Sequence, residues 1–340
     1  MPKTVKNLWP DVVSWDNLLA AWHEARKGKR YKPDVLRFHQ NWEERLVDLQ
    51  NRLIWGSWSP SPFSAFYVHE PKKRLIEAPR FEDRVVHHAL HRVIEPYFER
   101  RFLDDSFACR KGRGTHAACA RLQQQLRAGQ RKWGRVHVLQ IDMSRYFASI
   151  RHDELKLQIR RTVGDPQVLR VWDQIIDNTG DRGVGIPIGA LTSQLGANLY
   201  LDAFDHHVKN AMGMPFLNRY MDDAVILGPS AKGLKETLHY LRAWLLETLG
   251  LSLSKGEVFP ASRGVDFAGY RTWATHILPR KRNITRARRR IKSMARRYWA
   301  GELQMEAVRP SVSSLIGYTK HCSSRRTVEG LTQDWMRNAA

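Results

Sequence analysis

The sequence predicts an α+β fold, because helical and strand-like patterns of apolar residues alternate along its 340 residues. Apolar residues recur at helical spacing in three N-terminal stretches, 14–27, 34–54 and 81–100. Short apolar runs of the kind that forms strands precede Asp142 and occupy much of residues 215–228. Strands mixed with crossing helices are typical of an α+β core.

The N-terminal elements carry recognisable boundaries. Ser14 is expected to cap the first helix, and the second is expected to end at Gly56, before two prolines. Residues 63–68 and 74–76 are expected to pair as strands joined by a basic turn at 70–73. These signals predict two helices, a hairpin and then the helix at 81–100.

The rest of the chain continues the alternation. Residues 109–114 form a basic, glycine-rich loop, and Thr115 is expected to cap the helix that follows. The later predicted elements are a strand ending at Asp142, helices at 153–162, 166–177 and 190–210, a strand–turn–strand at 215–228, a helix at 230–249, and strands at 257–260 and 265–273. Ten basic residues and no acid lie between Arg280 and Arg297, in a segment that is predicted to be helical.

The charge balance indicates a polyanionic partner. The chain has 56 Lys and Arg against 34 Asp and Glu, a net charge of +22, and a pI near 10.3. Such a charge favours nucleic acid as the partner. No apolar run is long enough to cross a membrane, and the N-terminus lacks the apolar core of a signal peptide. With three scattered cysteines and no C-x-x-C pair, a cytoplasmic location is expected and a structural zinc site is not.

Three acids carry the strongest chemical signal. Asp222 and Asp223 adjoin at a predicted turn between apolar strands, and Asp142 ends another predicted strand. A lone Asp-Asp in a hairpin is usually only a turn signal. Carboxylates brought together, however, repel one another unless a cation lies between them. The expected occupants are two Mg²⁺ ions, which Mn²⁺ is expected to replace, and the expected chemistry is nucleotidyl transfer.

The residues around these acids resemble the reverse transcriptases. The resemblance rests on the tetrapeptide Tyr220–Asp223 and on residues 140–147, whose Asp142 matches the second metal-binding element of that family. The variant sequence at 185–201, with Leu191-Thr-Ser-Gln-Leu, is similar to the reverse transcriptases of diversity-generating retroelements. Further matching stretches are 73–76, 83–90, 108–117 and 263–271, so that the likeness runs from about residue 10 to 300.

The resemblance implies a right-hand polymerase fold. Residues 1–135 would form the N-terminal segment and fingers, and 136–275 the palm, an RRM-like antiparallel sheet with helices and a fingers insertion at about 160–184. Residues 276–340 would form a basic helical thumb. Asp142, Asp222 and Asp223 would be the catalytic metal ligands, with the first two bridging the ions and Asp223 in support.

The resemblance also implies further site residues. Phe147 would clash with a 2′-hydroxyl and so select deoxynucleotides, and Lys255 would protonate the leaving pyrophosphate. The full implied set is Arg74, Phe147, Gln194 and Lys255 for dNTP binding, Ile186 and Ile188 for framing the template base pair, Phe267, Gly269 and Tyr270 for gripping the primer, and Arg110, Arg286, Arg289 and Arg290 for binding nucleic acid.

Each of these residues also has an ordinary structural interpretation. Phe147 could be a core aromatic, and Arg74 and Lys255 could be solvated. A basic run is usually a solvated helix face, although ten like charges are costly to hold together unless phosphates neutralise them. Residues His87, His88 and His91 lack a second ligand cluster, so they are interpreted as a polar helix face.

The implied function is RNA-directed DNA synthesis. A diversity-generating enzyme would copy a structured template RNA with errors at adenines, using a primer and dNTPs. It would work with a small basic accessory protein, the accessory variability determinant, and is expected to be oligomeric and bacterial or phage-encoded. Three alternatives remain: a phage-defence reverse transcriptase with a dedicated noncoding RNA, an inactive RNA-binding scaffold, and a metal-dependent nuclease.

Overall fold

The structure is a computed structural model that describes residues 4–69 and 73–337, so the turn expected at 70–73 lies largely outside it. In chain order the helices are α1 (Trp9–Val13), α2 (Trp15–Ala25), α3 (Pro33–Gln40), α4 (Trp42–Ile54), α5 (Phe81–Glu99), α6 (Thr115–Trp133), α7 (His152–Arg160), α8 (Pro166–Asp177), α9 (Leu191–Tyr200), α10 (Asp202–His206), α11 (Ala231–Leu249), α12 (Lys281–Trp299), α13 (Met305–Thr319) and α14 (Arg325–Met336).

Nine strands accompany these helices in the described residues. They are β1 (Ser64–Val68), β2 (Arg74–Ala78), β3 (His137–Met143), β4 (Leu217–Tyr220), β5 (Asp223–Gly228), β6 (Leu253–Pro260), β7 (Val265–Phe267), β8 (Tyr270–Thr272) and β9 (Ile277–Pro279). Helices mixed with antiparallel strands confirm the predicted α+β class. Within the described ranges, no helix combines the length and apolarity that a membrane span requires.

The chain divides into two compact units. The first contains residues 1–104, 143–211 and 240–255. Its helix α5 packs against α2 and α9, and the antiparallel hairpin β1–β2 aligns Ser64 with Ala78. Burial of apolar residues such as Leu18 and Leu90 explains why these helices hold together.

The second unit contains residues 105–142, 212–239 and 256–340. Its main sheet has the strand order β4–β5–β3–β6, and β5 is antiparallel to both β3 and β4. One face of this sheet buries Val138, Val225 and Leu227 in a cluster with Leu122 and Leu126 of α6. That packing fixes the register of the strands that end at the acids, because a slip by one residue would turn the apolar set to the other face.

The C-terminal part of the second unit combines a small sheet with helices. Strands β7, β8 and β9 form an antiparallel sheet in that order. Helix α12 contacts α13 and α14 and buries Ile291 and Ala295. The basic segment is therefore helical, as predicted, with one apolar side.

Three sequence-based predictions about elements are wrong in detail. The helix predicted over 34–54 is two helices, because Asn41 between them has non-helical φ −130° and ψ 47°. The helix predicted over 190–210 is divided into α9, α10 and a π-helical turn at His207–Ala211. Thr115 is the first residue of α6 and makes no side-chain cap. By contrast, Ser14 does cap α2, since its Oγ accepts a hydrogen bond from the Asn17 N–H at 3.3 Å.

Candidate active site

Two of the three predicted catalytic acids lie opposite each other on neighbouring strands of the main sheet. Asp142, the last but one residue of β3, is the register partner of Asp223, the first residue of β5. Directly opposed residues in antiparallel strands share a face, with Cβ atoms about 5 Å apart. Asp223 is also the register partner of Tyr220 on β4. Both carboxylates are partly exposed at the end of a face that is otherwise buried.

The third acid, Asp222, lies in the two-residue turn that closes the β4–β5 hairpin. Met221, the other turn residue, has φ +57°, in the left-handed region that glycine normally occupies in such turns. A non-glycine residue held there indicates local strain, which tends to occur where a functional group must be positioned. The strained turn fixes the backbone at Asp222, which directly precedes Asp223 in the chain.

A buried arginine holds this turn from behind. The Arg219 side chain is fully buried. Its Nη1 donates to the carbonyl oxygen of Met221 at 3.1 Å, and its Nη2 donates to Ser106 Oγ at 2.9 Å. A parallel bridge between Ser106 and Arg219 ties the same segment to the outer edge of β4. A buried guanidinium with several fixed acceptors is a rigid support, since each donor left unpaired would be costly.

A glutamine supports Asp223. Gln140, two residues before Asp142 on the same face of β3, is almost completely buried. Its Nε2 donates to Asp223 Oδ1 at 3.1 Å and to the Asp266 carbonyl oxygen at 2.8 Å. The amide therefore orients one carboxylate and links β3 to β7. The sequence analysis did not identify Gln140 or Arg219 as site residues. The one sequence signal for their role is that each is a polar residue within an apolar strand pattern.

The acids fit a divalent cation of the magnesium type. In residues 4–69 and 73–337, no three His, Cys, Asp or Glu side chains are grouped so as to hold a metal ion by themselves. Proteins usually bind Mg²⁺ through one or two carboxylates together with substrate phosphates and water. The opposed pair Asp142 and Asp223 has that donor chemistry, and like charges directly opposite on a sheet are otherwise destabilising.

In the first unit, Phe147, which is predicted to bind the dNTP, is hydrogen-bonded through its backbone to Ile186, which is predicted to frame the template base pair. Phe147 lies in a 3₁₀ turn at Tyr146–Ser149, and its carbonyl oxygen accepts a hydrogen bond from the Ile186 N–H at 2.9 Å. The Phe147 ring is half-buried and packs edge-on against Tyr146, with centroids 5.6 Å apart. Ile186 is buried, so this contact fixes the position of both residues.

Ile188 is joined to the β1–β2 hairpin. Its carbonyl oxygen accepts from the Glu77 N–H at 3.0 Å. Gly189 follows with φ +138°, and a Cβ there would come within 2.8 Å of the Glu77 carbonyl oxygen. Glycine is required at this position because the two backbones approach too closely for a side chain.

The other predicted dNTP residues lie on three different elements of the first unit. Arg74 is exposed at the start of β2, Gln194 is half-buried on α9, and Lys255 is exposed on β6. The turn next to Arg74 includes residues that the structure does not describe. Their roles stay predictions.

The predicted primer-gripping residues form the β7–β8 hairpin of the second unit. Phe267 pairs with Tyr270, and the two turn residues Ala268 and Gly269 have φ +45° and +92°. Both aromatic side chains are buried. The Tyr270 hydroxyl donates to the Tyr318 carbonyl oxygen at 2.7 Å, which ties the hairpin to α13. These rings are therefore structural supports, and any primer contact would come from the turn backbone.

The basic helix α12 separates its charges between two faces. Arg288 and Lys292 contact Asp334 of α14, at 2.6 Å and 3.3 Å. The predicted nucleic-acid residues Arg286, Arg289 and Arg290 are exposed. Three basic side chains are thus available to a phosphate backbone on one side of the helix while the other side is anchored.

Arg110 has a different environment from the exposed arginines. Its side chain is 8% exposed, and its Nη1 donates to the Ser106 carbonyl oxygen at 2.7 Å. Its contact with nucleic acid stays a prediction, while the structure gives it a supporting contact with the segment that also binds Arg219.

His87 does not belong to a polar face. It is fully buried in α5, and its Nδ1 lies 2.8 Å from Thr192 Oγ1 of α9. Burial, followed by the charges of His88 and Arg84, lowers the pKa of His87 to about 3. The imidazole is therefore neutral, and it joins two helices of the first unit.

The chain matches a known protein family. Residues 69–272, more than half of the chain, match the family described as reverse transcriptase (RNA-dependent DNA polymerase). The matched range contains all three acids, Gln140 and Arg219. Together with the antiparallel sheets, this match confirms the predicted right-hand polymerase fold class.

Two curated proteins are similar to parts of the chain. Protein YkfC of Escherichia coli strain K12 is 29% identical over 172 residues, which is 48% of this chain and 45% of that protein. Nuclear intron maturase 1 of Arabidopsis thaliana, a mitochondrial protein, is 28% identical over 180 residues, 43% of this chain and 24% of the maturase. The chain spans less than half the length of either relative.

Solved structures of telomerase show a weaker likeness. Telomerase from Candida albicans, solved with a fragment of telomeric RNA, is 11% identical over 83% of this chain and 61% of that one, with a TM-score of 0.48. Apo telomerase from Candida tropicalis is 13% identical over 71% and 59%, also with a TM-score of 0.48.

Proposed function

Because this chain belongs to the reverse transcriptase family, we propose that it synthesises DNA on an RNA template from dNTPs and a primer. The observation that carries the proposal is the register pair of Asp142 and Asp223, with Asp222 in the adjoining turn. Mg²⁺ bound at these acids would supply the acidification of the primer hydroxyl and the neutralisation of the triphosphate.

The chain's own residues would position the reactants. Gln140 would orient the Asp223 carboxylate and Arg219 would fix the turn that carries Asp222, as their hydrogen bonds favour. Phe147, with its backbone held by Ile186, would exclude a 2′-hydroxyl. Arg74 and Lys255 would contact the triphosphate and protonate the pyrophosphate, and Gln194 would contact the dNTP.

Nucleic acid would be held mainly by charge. Arg286, Arg289 and Arg290 are exposed on α12 and would bind phosphates of the template–primer duplex. The turn of the β7–β8 hairpin would contact the primer end. In this proposal residues 1–135 serve as N-terminal segment and fingers, 136–275 as palm and 276–340 as thumb.

Primer extension tests the activity. The purified protein is incubated with an RNA template, a labelled DNA primer, Mg²⁺ and dNTPs, alongside Asp142→Asn as a matched control. DNA products with the native protein and none with the variant support the proposal. RNA binding without synthesis would support an inactive scaffold, and shortening of the RNA without dNTPs would support a nuclease.

We further propose that the enzyme serves a diversity-generating retroelement. Support comes from the stretch at 185–201 and from the placement of Ile186 and Ile188, whose backbones are tied to Phe147 and Glu77. Such an enzyme would work in the cytoplasm as an oligomer, with a structured template RNA and a small basic accessory protein. A phage-defence reverse transcriptase with its own noncoding RNA is the second candidate, because the family match covers reverse transcriptases in general.

Sequencing of cDNA made on the native RNA separates these candidates. Mismatches concentrated opposite template adenines, with and without the accessory protein, would support diversification. Valine at Ile186 or Ile188 is then expected to change the adenine error rate more than the total yield. Uniform fidelity at all four bases would contradict the diversification proposal and leave the polymerase activity standing.

A further inference from the structure

Tyr318, the last but one residue of α13, is hydrogen-bonded to two other elements of the second unit. Its hydroxyl donates to the Gly269 carbonyl oxygen in the turn of the β7–β8 hairpin. The same oxygen accepts from the Arg280 backbone N–H at 3.2 Å and from Asn283 Nδ2 at 3.0 Å. A phenol has one donor and two acceptor sites, so all of them are occupied. These three bonds, the Tyr318 link, join the hairpin turn to the start of α12.

A second contact joins the hairpin to α13 in the reverse direction. The Tyr270 hydroxyl donates to the Tyr318 carbonyl oxygen at 2.7 Å. The two rings lie 4.8 Å apart, tilted by 31°. The ring contact needs only an aromatic residue, and phenylalanine at position 318 would supply the same apolar surface. The Tyr318 hydroxyl therefore adds a fixed geometry between three elements, and it adds no apolar burial.

The Tyr318 link holds the first residues of α12. Arg280 is the N-cap residue of this helix, and its side chain makes no capping hydrogen bond. Its backbone N–H is shared between the Tyr318 hydroxyl and the Gly269 carbonyl oxygen, which is 3.3 Å away. Asn283, the third residue of α12, supplies the other contact. The start of the helix is therefore held from α13 and from the hairpin turn.

The position of the start of α12 determines where its exposed arginines lie. Arg286, Arg289 and Arg290 follow Asn283 on the same helix. An α-helix rises about 1.5 Å per residue, so these arginines lie roughly 5–10 Å from Asn283 along the axis. A shift at the start of the helix would therefore move all three guanidinium groups relative to the hairpin turn.

The Tyr318 hydroxyl keeps the proton that it donates. Burial raises the pKa of Tyr318, and the hydrogen bonds from Asn283 and Arg280 oppose that effect. Because an ordinary tyrosine has a pKa near 10, a tyrosine with a raised pKa stays neutral at the pH of a polymerase assay. The bond to the Gly269 carbonyl oxygen is then present throughout the assay.

We propose that Tyr318 is a positioning residue for primer–template binding, because its hydroxyl sets the spacing between the β7–β8 turn and the arginines of α12. The inference rests on the proposed function, which assigns the turn to the primer end and the arginines to duplex phosphates. Tyr318 and the start of α12 lie beyond residues 69–272, the range that matches the family. The Tyr318 link therefore belongs to the C-terminal part of this particular chain.

Two tyrosine-to-phenylalanine variants of the full chain test the proposal. Tyr318→Phe removes the hydroxyl and keeps the ring. Tyr298→Phe is the matched control, since Tyr298 is also half-buried and packs against Trp299 and Trp335. Within residues 4–69 and 73–337, the Tyr298 hydroxyl makes no hydrogen bond. Binding of a labelled RNA–DNA primer–template is measured by fluorescence anisotropy without dNTPs, steady-state extension gives kcat and KM, and thermal midpoints verify folding.

Tyr318→Phe should weaken primer–template binding and raise the KM for primer–template, each by about fivefold to tenfold, because hydrogen bonds of modest net worth are lost. The KM for the dNTP, and kcat at saturating primer–template, should change by less than about twofold, because the bonds that are lost do not involve the opposed acids. Tyr298→Phe should leave all of these quantities unchanged. A lower kcat with an unchanged KM for primer–template would indicate a role in folding alone. That result, or equal weakening by both variants, would overturn the proposal.

A double-mutant cycle tests whether the hydroxyl acts through α12. Asn283→Ala removes one partner of the Tyr318 hydroxyl and should weaken primer–template binding by about twofold to threefold. In the double variant with Tyr318→Phe, the loss should equal that of Tyr318→Phe alone, because the two residues share one hydrogen bond. Additive losses in the double variant would overturn the proposal.

Binding and synthesis are scored separately, so that the two proposals can fail independently. A native protein that binds the primer–template and makes no DNA would contradict the polymerase activity. Selective weakening of binding in Tyr318→Phe would then still support the positioning role. Binding that is the same in the native protein and in Tyr318→Phe, or a native protein that does not bind the primer–template, would overturn it.

Discussion

Two hairpins of the second unit both turn through residues with positive φ, but different contacts hold the two turns. The β4–β5 hairpin turns through Met221 and Asp222, and the β7–β8 hairpin turns through Ala268 and Gly269. Both turns require a positive φ, +57° at Met221 and +92° at Gly269. In the β4–β5 hairpin the strained residue is the first turn residue, Met221, whereas the β7–β8 hairpin has positive φ at both turn residues, +45° at Ala268 and +92° at the glycine that follows it.

The difference lies in what supports each turn. The Met221 carbonyl accepts a hydrogen bond from the buried guanidinium of Arg219, while the Gly269 carbonyl accepts from the uncharged Tyr318 hydroxyl and from the Arg280 backbone N–H at 3.3 Å. A left-handed conformation costs an L-residue roughly 1–2 kcal/mol. The hairpin that presents the acids therefore holds its strained residue with a charged, buried anchor, whereas the other hairpin has glycine at the larger positive φ of its two turn residues and so limits the strain to Ala268.

The largest expected effect comes from removing an acid of the opposed pair. Asp142→Asn and Asp223→Asn should each lower the rate of primer extension about a thousandfold, because several kcal/mol of metal-based stabilisation would be removed. Neither change should lower the thermal midpoint, since a repulsion between opposed carboxylates is relieved. Steady-state extension assays and thermal scans measure the two effects. A variant with a near-native rate of extension would contradict the claim that the β4–β5 hairpin presents catalytic acids.

Loss of the anchor should be the next largest effect. Arg219→Met should accelerate amide exchange in the peptide 217–228, by an amount that corresponds to about 3 kcal/mol, because buried acceptors lose their donor. It should also raise the Mg²⁺ concentration needed for half-maximal extension.

Arg271→Met in the β7–β8 hairpin is the matched control. The Arg271 side chain is only partly buried, so its removal should cost about 1 kcal/mol or less in peptide 265–272. Equal effects at both hairpins, measured by hydrogen exchange and mass spectrometry, would mean that Arg219 is an ordinary core residue.

The third effect is a pH dependence of stability that comes from His87, which is buried as a neutral base, in contrast to the buried and charged Arg219. The folded pKa of His87 is about 3, below its ordinary 6.5, so the unfolded state binds the proton first as pH falls. The stability that His87 contributes is therefore complete above pH 6.5 and decreases towards pH 3. It should fall by about 2 kcal/mol between pH 7.5 and pH 5.

His87→Asn provides the control for that pH dependence. Urea midpoints of the native protein and the variant should differ less at pH 5 than at pH 7.5, because the variant lacks the titrating imidazole. A difference that does not change with pH would show that His87 binds a proton as readily in the folded protein as in the unfolded one.

The smallest pair of effects has opposite signs. Gly269→Ala should destabilise its turn by about 1 kcal/mol, and Met221→Gly should stabilise its turn by about as much. A Cβ at Gly269 meets no atom within 4 Å, so the cost there is purely a backbone cost. Amide exchange in the two hairpin peptides measures both, and effects of the same sign would contradict the account of strain.

Much of this second unit is predictable from sequence. Strand β3, hairpin β4–β5 and the start of helix α11 follow clear apolar periods, and the acids lie at the strand ends where the pattern places them. In the first unit, the break at Asn41 escapes prediction because the apolar spacing of α3 continues into α4. The spacing of apolar residues shows which face of a helix is buried, and it does not reveal a single residue with non-helical backbone angles.

The supports of the acids could not be predicted in the same way. Arg219 meets Ser106 across 113 residues of sequence, and Gln140 meets Asp266 across 126. Such contacts depend on tertiary packing, and a charged residue next to an apolar strand looks the same whether it is exposed or buried. Likewise, the polar face predicted for His87 is wrong because its burial depends on the packing of α9.

Binding of Mn²⁺, followed by electron paramagnetic resonance, tests the central claim most directly. We predict that the full chain binds Mn²⁺ in the presence of template, primer and a dNTP, that Mg²⁺ competes, and that Asp142→Asn and Asp223→Asn each weaken binding at least about tenfold, as removal of a carboxylate ligand from a divalent cation should. The same Mn²⁺ affinity in the native protein and both variants would contradict the claim that these opposed carboxylates share a divalent cation.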